Sequence, residues 1–544
     1  MVPEPVALSY RGGLLGAFAP LLLFLAGVAW LGLSGAPGEQ GLWPVLMAAI
    51  ALGLILSRDR HAYSEAVIEG MSQPIVMVMV LAWLLAGMLA ALLNATGFVE
   101  ALVWLAHSAD IGSTGFIVAA FLIACAVSTS TGTSLGTLIL CSPFLYPAGG
   151  ALGADPALLL GAILGGATFG DNLSPVSDTT IASTVTQGAR MGDVVRSRLR
   201  YALPAAALAL LAYTTASTWL TSDAPAIAVP TVADAAVDAP TDDLDEEFES
   251  TDAAPDDPTV VLGSSPRGLP MVLAPILVIF LLFRHVHLLE GLIYGVLTAA
   301  GLGLGLDLIE LSDLIRVGDP AAQDYKAAGC LVDGMERGIG VSVFTILLMG
   351  LVTGLQASGV IARMLEYAAS HIRGQRGAEV WSFGTVAAAT VLTTHSVIAL
   401  LAVGPFARET GFRYRIPANR RANILDTTVC TFPFILPYCI PTILAASTTT
   451  AGPTYGMPQL TALTAGLYNF HSWALLLVVL VAIFTGWGRG EMPEDAGSTR
   501  EPESPWAESD ESSGSAFFDQ TEKIEPEDVP SPIDPSGSAS NVFR

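Results

Sequence analysis

Charged residues are scarce in this sequence of 544 amino acids: they make up 13% of it, whereas soluble domains carry about 25%. Lysine is nearly absent, since only Lys326 and Lys523 among the 24 basic residues are lysine. Hydrophobic residues make up 52% of the chain, and the mean hydropathy is +0.59. These values exclude an ordinary soluble enzyme and a disordered protein, and they indicate an all-α polytopic membrane protein.

Several chemical signatures are also missing. The five cysteines lie mostly in apolar stretches and form no CxxC pair, so no disulfide framework or thiolate metal site is expected. The sequence has no GxxxxGK[ST] phosphate loop, no His/Glu zinc pattern and no GxSxG elbow. We therefore expect neither an enzyme nor a bound cofactor, and no nucleic-acid partner. The lipid bilayer is the expected partner of such a chain.

Apolar segments recur along the chain, and several are too short to span a bilayer alone. Polar and proline-containing breaks at membrane depth are tolerated where they line a cavity, and they are typical of transporter binding sites. We expect about 11–13 transmembrane or re-entrant helices. The apolar segments lie near residues 14–33, 42–56, 72–93, 114–127, 135–147, 156–169, 201–220, 269–283, 288–306, 341–357, 379–403, 427–446 and 471–487.

Acidic residues are concentrated in two segments. Residues 222–266 hold 12 Asp and Glu and no Lys or Arg, and residues 491–544 hold 14 with three basic residues. Repulsion between so many carboxylates is screened in concentrated salt, so the composition favours a halophilic host. The positive-inside rule places the arginine-containing loops 57–70, 189–200 and 408–421 in the cytoplasm.

This orientation divides the chain into four regions. Because Arg373 and Arg376 are also placed inside, segment 379–403 must turn back on itself as a hairpin around residues 393–396. The regions are 1–221, N-terminal helices and a first inverted repeat; 222–268, an acidic extracellular loop; 269–490, linking helices and a second inverted repeat; and 491–544, a disordered acidic cytoplasmic tail.

A weak internal repeat supports this division. Glu-Gly-Met at 69–71 and Asp-Gly-Met at 333–335 each open an apolar helix, and a Ser/Thr-rich break follows in each half. Each half then reaches an Asp-Thr-Thr run, which starts at Asp178 in the first half and at Asp426 in the second. By the positive-inside rule, the first copy of the repeat begins on the cytoplasmic side and the second begins on the extracellular side. This is the inverted-topology arrangement of secondary transporters.

The densest group of polar residues at membrane depth lies at 165–180, around Pro175. Ionisable groups are costly there, and hard cations such as Na⁺ prefer carboxylate, carbonyl and hydroxyl oxygens. A carboxylate binds either a cation or a proton, and burial favours its protonated form. Competition of this kind would couple the movement of the cation to the movement of protons. We predict Asp171 and Asp178 as the Na⁺-binding carboxylates. The neighbouring oxygen donors predicted to join them are Asn172, Ser174, Ser177 and Thr179.

A purely structural interpretation of the same residues also exists. Ser177 or Asp178 could cap a helix that begins near Thr179, and Asp171 could cap one after Gly170. Capping and ion binding are compatible, because a helix N-terminus attracts an anion.

Other candidates come from the two hairpin breaks and the second half. Thr131 and Thr133 belong to a run of six hydroxyls in the seven residues 128–134, although such hydroxyls often bond back to their own helix. His395 is either a proton carrier or a structural residue. Asp426 and Thr427 match the first-half motif, although Asp426 could instead pair with the preceding Arg420 and Arg421 or start a helix at 427.

These motifs resemble a known family. Residues 170–180 (GDNLSPVSDTT) resemble the GDxxSPxSDTT signature of NhaC-type Na⁺/H⁺ antiporters, and residues 131–137 (TGTSLGT) resemble that family's TGTSxGT segment. Residues 421–438 resemble its distal conserved region less closely. The resemblance implies an ion-transporter fold of inverted repeats and secondary active antiport of Na⁺ and H⁺ across the cell membrane. The acidic loop, the tail and residues 393–396 depart from the family pattern.

Two transport hypotheses follow. The first is Na⁺/H⁺ antiport; the second is Na⁺-coupled exchange of a small organic anion, of malate or lactate type, or of an amino acid. An organic anion needs an additional cationic grip or a half-helix N-terminus, and no Lys or Arg lies within the broken motifs. A channel or an intramembrane enzyme is less favoured, because no repeated filter or nucleophile–base pair is evident. The sequence leaves a homodimer open.

The predicted orientation is testable by labelling. A cysteine introduced at Ser250 should react with an impermeant thiol reagent in intact cells, whereas one at Ser512 should react only after permeabilisation. The reverse labelling pattern would contradict the orientation. The parent protein, treated in the same way, gives the background from the native cysteines.

Overall fold

The computed structural model describes residues 8–34, 39–220, 265–284, 286–317, 327–450, 452 and 457–490. Residues 222–264 of the predicted acidic loop and the predicted tail at 491–544 lie outside the described residues. The predictions for these two segments therefore stay predictions.

The described elements are almost all helices, and they follow the predicted apolar segments closely. The first half contains α1 (Leu14–Leu33), α2 (Leu42–Leu56), α3 (Arg60–Met71), α4 (Pro74–Ala95), α5 (Phe98–Ser108), α6 (Ser113–Thr131), α7 (Ser134–Ala151), α8 (Pro156–Leu173), α9 (Asp178–Gln187) and α10 (Met191–Leu220).

The second half repeats this alternation of long and broken helices. It contains α11 (Leu273–Phe283), α12 (Leu288–Gly305), α13 (Leu311–Leu314), α14 (Cys330–Gln356), α15 (Val360–His371), α16 (Gly374–Thr393), α17 (Ser396–Arg413), α18 (Ala418–Val429), α19 (Ile440–Ser447), α20 (Ala462–Leu467) and α21 (Phe470–Thr485). A short antiparallel pair, β1 (Arg316–Val317) and β2 (Ala327–Ala328), lies between α13 and α14.

Six spans within the described residues are long and apolar enough to cross a bilayer, by length and composition, and four shorter apolar helices accompany them. The predicted class, an all-α multi-pass membrane protein, is confirmed. One of the spans, Pro156–Gln187, includes both α8 and α9. Pro156 opens α8 at the first helical position, where a missing N–H costs nothing, and Asp155 caps the helix by accepting a 2.8 Å bond from Leu158 N.

The two hairpin tips are built alike. The chain leaves α6 through Gly132, which has a left-handed φ of 70°, and enters α7 through the extended Thr133. The chain leaves α16 through Thr394, at a φ of 53°, and enters α17 through the extended His395. The predicted reversal around residues 393–396 is therefore confirmed. A threonine in the left-handed region is strained, which is typical of functional sites.

The two halves share element boundaries at one constant offset in residue number. The equivalent pairs are Gly97 and Gly359, Gly132 and Thr394, Thr133 and His395, Pro156 and Ala418, and Asp178 and Ile440. Asp178 therefore corresponds to Ile440, and the sequence-based match of Asp178 with Asp426 was wrong in register. The mismatch arose because Asp178 begins the second half-helix of its pair, whereas Asp426 lies inside the first, α18.

The equivalent helices α4 and α14 run antiparallel. Gly87 faces Gly334, so that a Cβ on either residue would overlap the other's backbone, and Gly338 faces the earlier residue Trp83. Because the residue numbers rise along one helix as they fall along the other, the two copies are inverted relative to each other. Close approach of small residues is the usual way in which membrane helices pack without a hydrophobic driving force.

The Gly87–Gly334 contact can be tested with a single methyl group. Gly87→Ala should lower the melting temperature of the protein in detergent, because overpacking costs roughly 1–3 kcal/mol. Gly301→Ala, in α12, is the matched control, since a Cβ there meets no other atom and alanine favours the helix. Equal melting temperatures for the two variants would contradict the packing described here.

Candidate functional site

A cavity of about 150 Å³ lies where the two hairpin tips and the two helix breaks meet. It brings together residues that are far apart in the sequence and that belong to the polar motifs at 128–134, 165–180 and 393–396. The polar lining consists of Thr133, Ser134, Asp171, Asp178, Thr179, Thr394, His395 and Ser396. Each of these residues lies at or beside the end of a half-helix, so the breaks in α6/α7, α8/α9 and α16/α17 are what place them in the cavity.

Asp171 is the most enclosed acidic group of this lining, with 6% of its surface exposed. Its Oδ2 accepts a 2.7 Å hydrogen bond from Ser134 Oγ at the first hairpin tip. Its Oδ1 accepts a second 2.7 Å bond from Ser177 Oγ in the break after α8. The carboxylate thus ties the tip to the break, and both hydroxyl oxygens keep lone pairs that can face a cation.

The position of Asp171 in its helix is electrostatically unfavourable for an anion. It lies in the last turn of α8, where the helix dipole is negative. No arginine, lysine or histidine forms an ion pair with it among the residues that the structure describes. A buried carboxylate without such a partner needs a cation or a proton to balance its charge.

Asp178 is more exposed than Asp171. It is the first residue of α9, faces the cavity and accepts a 2.8 Å bond from Thr179 N. The cap interpretation is correct only in part: α9 begins at Asp178, and Ser177 occupies the N-cap position without a side-chain cap bond. The Ser177 hydroxyl is directed to Asp171 instead. Asp171 itself lies inside α8 and caps no helix.

Of the other first-half donors, Thr179 is part of the cavity lining, whereas Ser174 and Thr131 are not. Thr179 lines the cavity, and its hydroxyl lies 3.0 Å from that of Ser177. Ser174 is buried in the break, and its hydroxyl accepts a 3.4 Å bond from Val176 N. Thr131 Oγ1 accepts from Thr133 N at 3.4 Å and stabilises the hairpin tip.

Asp426 belongs to a separate buried group. Its Oδ2 lies 2.6 Å from Arg198 Nη1, and both side chains are fully buried. Asn172 connects this group to the cavity side, because its amide nitrogen donates a 3.0 Å bond to Asp426 Oδ2. Thr427 does not line the cavity, and its hydroxyl bonds back to Asn423 O in its own helix at 2.6 Å.

Asp426 does not pair with the two arginines that precede it. Arg420 pairs with Glu379 at 3.1 Å, and Arg421 donates to the side chain and the carbonyl of Gln187, each at 3.0 Å. These contacts hold α18 against α16 and against the C-terminal end of α9. The alternative in which Asp426 pairs with Arg420 or Arg421 is wrong, because both side chains leave α18 toward other helices.

Sequence reasoning overlooked Arg198, which the arginine count had placed only in a cytoplasmic loop. The sequence signal that was missed is the helical spacing of apolar residues along α10. Val194, Ala202, Ala205 and Ala209 lie on the same helix face as Arg198, and all four are buried. His395, in contrast, lies where it was predicted, at the second hairpin tip, and its buried Nδ1 has no hydrogen-bond partner among the described residues.

A second, smaller cavity of about 60 Å³ continues along the same helices. Trp83 of α4 and Ile139 of α7 line both cavities and so lie at the boundary between them. Asn94 and Arg337 line the second cavity, toward the end of α4 and the start of α14. In the predicted orientation, the aspartate cavity lies on the cytoplasmic side of Trp83 and the second cavity lies on the extracellular side.

Comparison with known proteins agrees with the motif analysis. Residues 21–217 match the model of the Na⁺/H⁺ antiporter family. The Na⁺/H⁺ antiporter NhaC of Alkalihalophilus pseudofirmus is 26% identical over 59% of this chain and 63% of its own length. The malate-2H⁺/Na⁺-lactate antiporter of Bacillus subtilis is 30% identical over 37% of this chain and 41% of its own length.

An uncharacterized Na⁺/H⁺ antiporter of Haemophilus influenzae is 27% identical over 37% of this chain and 42% of its own length. The aligned part of the chain therefore spans less than two thirds of each of these relatives. The matched range 21–217 contains the first hairpin tip, both motif aspartates and Arg198. The predicted resemblance to Na⁺/H⁺ antiporters is confirmed over residues 21–217.

Proposed function

We propose that this protein is a secondary active antiporter that exchanges Na⁺ for H⁺ across the cell membrane. The observation that carries the proposal is Asp171, a buried carboxylate at the negative end of α8 with no basic partner among the described residues. Such a group requires a positive charge from outside the protein. A carboxylate site lined by hydroxyl oxygens suits a hard cation such as Na⁺, and the same carboxylate can bind a proton instead.

Competition for the same carboxylates couples the two fluxes. With Na⁺ bound, Asp171 and Asp178 are ionised, and the oxygens of Ser134, Ser177 and Thr179 complete the oxygen donors at the site. With protons bound, the charge is removed and the cation leaves. The exchange needs no bound cofactor and no covalent chemistry, because each ion is displaced by the other.

The two cavities provide routes from opposite sides. They lie end to end along α4, α7 and α19 and meet at Trp83 and Ile139. A small movement of these two side chains, accompanied by a shift of α4 against α14 at the Gly87–Gly334 contact, would open the aspartate cavity to the second cavity. In the predicted orientation, this movement exposes the aspartates to the extracellular side. Movement of one inverted repeat against the other is the usual basis of such alternating access.

A second candidate, Na⁺-coupled exchange of a small organic anion, has its own support. The half-helices α17 and α19 direct their N-termini at the cavity and carry no acidic residue in the first turn. These N-termini attract a carboxylate. The cavity is also larger than a bare cation needs. The relative from Bacillus subtilis is named as a malate-2H⁺/Na⁺-lactate antiporter.

Proteoliposomes with an internal pH dye distinguish the two candidates. Gradients of Na⁺, K⁺, malate and lactate are applied one at a time and then in opposed pairs. Antiport of Na⁺ and H⁺ predicts a pH change with Na⁺ alone, in the absence of any organic anion. A pH change that appears only with malate or lactate would instead establish the second candidate.

Asp178→Asn keeps the size of the side chain and a carbonyl oxygen but removes the titratable charge. Na⁺-driven proton movement should fall to the level of empty proteoliposomes, while the amount of folded protein stays unchanged. The matched control is Asp155→Asn, which removes a charge at the other end of α8 and keeps the cap acceptor for Leu158 N. Exchange by Asp178→Asn at the rate of the control would show that Asp178 is only a helix-end residue.

Ser177→Ala should weaken apparent Na⁺ affinity without abolishing transport. Losing one hydroxyl ligand removes roughly 0.5–1.5 kcal/mol, which corresponds to an increase of about two- to tenfold in the Na⁺ KM. Lowering the external pH should raise the Na⁺ KM of the unmodified protein, since protons compete for the same carboxylates. A Na⁺ KM that is independent of pH would refute a shared site.

A further inference from the structure

Three oxygen atoms surround one nitrogen of Arg198 deep in the molecule. Nη1 lies 2.6 Å from Asp426 Oδ2, 2.6 Å from the carbonyl oxygen of Asn172 and 2.7 Å from Thr180 Oγ1. The Asn172 carbonyl belongs to the last turn of α8, next to the break that forms the aspartate cavity. A carboxylate, a backbone carbonyl and a hydroxyl form the ligand set of a hard cation, which binds oxygen at about 2.3–2.6 Å in the case of Ca²⁺.

We propose that Arg198 is a tethered cation that fills a second cation site centred on Asp426. The guanidinium takes the place that a carried ion would otherwise occupy, and so it limits the number of Na⁺ ions or protons that the protein binds. Asp426, which the sequence suggested as a cation-binding residue, is thereby withdrawn from transport. The inference rests on the proposed function, since it concerns the number of ions that this antiporter carries.

The surroundings of Arg198 favour a placed cation over a helix-packing contact alone. Its side chain is fully buried, and Nε donates a 3.0 Å bond to Asn423 Oδ1, which fixes the guanidinium plane. Asn423 is held in turn by a 2.7 Å bond to Ser197 Oγ. Asn172 Oδ1 and Arg198 Nη2 are buried and have no hydrogen-bond partner among the described residues. The group therefore retains unused polar capacity next to the ion cavity.

The group also interacts electrostatically with the proposed transport site. When ionised, Asp426 repels the negative charges of both Asp171 and Asp178. Asn172 donates to Asp426, and the adjacent residue in the sequence is Asp171. A positive charge fixed at Asp426 therefore changes how many further cations the neighbouring carboxylates attract.

Equilibrium ²²Na⁺ binding to purified protein at pH 9 tests the proposal by counting ions. Arg198→Gln vacates the three oxygens and should bind one Na⁺ more per chain than the unmodified protein. The double variant Arg198→Gln with Asp426→Asn removes both charges and should return to the original number. Arg198→Lys keeps the charge and should also bind the original number. Arg200→Gln, which removes an exposed arginine on the same helix, is the matched control.

The outcomes separate the two proposals. Absence of Na⁺ binding in the unmodified protein and in the double variant would overturn the proposed function. The same number of ions in Arg198→Gln as in the unmodified protein would overturn only the role of Arg198.

A second measurement applies if Arg198→Gln fails to fold. Asp426→Asn leaves the guanidinium without its counter-charge, so its Na⁺ KM should rise severalfold, and the double variant should restore the original KM. A double variant whose KM stays as high as that of Asp426→Asn would refute the tethered cation. Recovery of KM marks an electrostatic role, because a merely structural pair would change the yield of folded protein and leave KM unaltered.

Discussion

A buried carboxylate at the negative end of a half-helix is the constraint on which this structure depends. Asp171 cannot remain ionised there without a nearby positive charge, and the described residues supply it with hydroxyl donors only. The first hairpin tip, the proline-containing break and the second-half hairpin tip all lie around this unbalanced negative charge. Under the proposed function, an ion from solution completes this site.

Asp426, in the same core, differs from Asp171 because it has a basic partner within the protein. Its charge is balanced permanently by Arg198, and the pair is enclosed by Asn172, Thr180 and Asn423. Breaking such a buried pair is costly, roughly 3–5 kcal/mol, because one charge is left uncompensated. Under the two proposals, Arg198 balances the charge of Asp426 permanently, whereas the carried ions balance the charges of Asp171 and Asp178.

Under the proposed function, the inverted repeat accounts for access to the site from both sides of the membrane. The helix ends recur at a constant offset, and α4 and α14 cross antiparallel through Gly87 and Gly334. Two equivalent tips, one ending in Gly132 and one in Thr394, meet at the same cavity from opposite directions. Movement of one inverted repeat against the other around a fixed site is the usual basis of alternating access.

Much of this arrangement is predictable from the sequence, for identifiable reasons. Long apolar runs and the Ser/Thr breaks gave the spanning helices and both hairpins, because helices are the only elements of this class that satisfy their own backbone in lipid. The density of polar groups around Pro175 led to Asp171 and Asp178, which do line one cavity.

Other features could not be obtained from local patterns. The helices α3, α5 and α15 were missed because they are short, and α3 and α15 also carry many polar residues. The match of Asp178 with Asp426 failed because similarity of three residues does not fix the register of a repeat. Arg198 was overlooked because arginine counts assign loops to a side of the membrane and carry no information on burial.

The central claim is that Na⁺ and H⁺ occupy the same carboxylates in turn. Its most direct test is proton release on Na⁺ binding, followed with a pH indicator in weakly buffered solutions of purified protein. The account predicts that added Na⁺ releases protons in proportion to the Na⁺ bound, and that Asp171→Asn together with Asp178→Asn abolishes the release. Saturable Na⁺ binding without any proton release would contradict it.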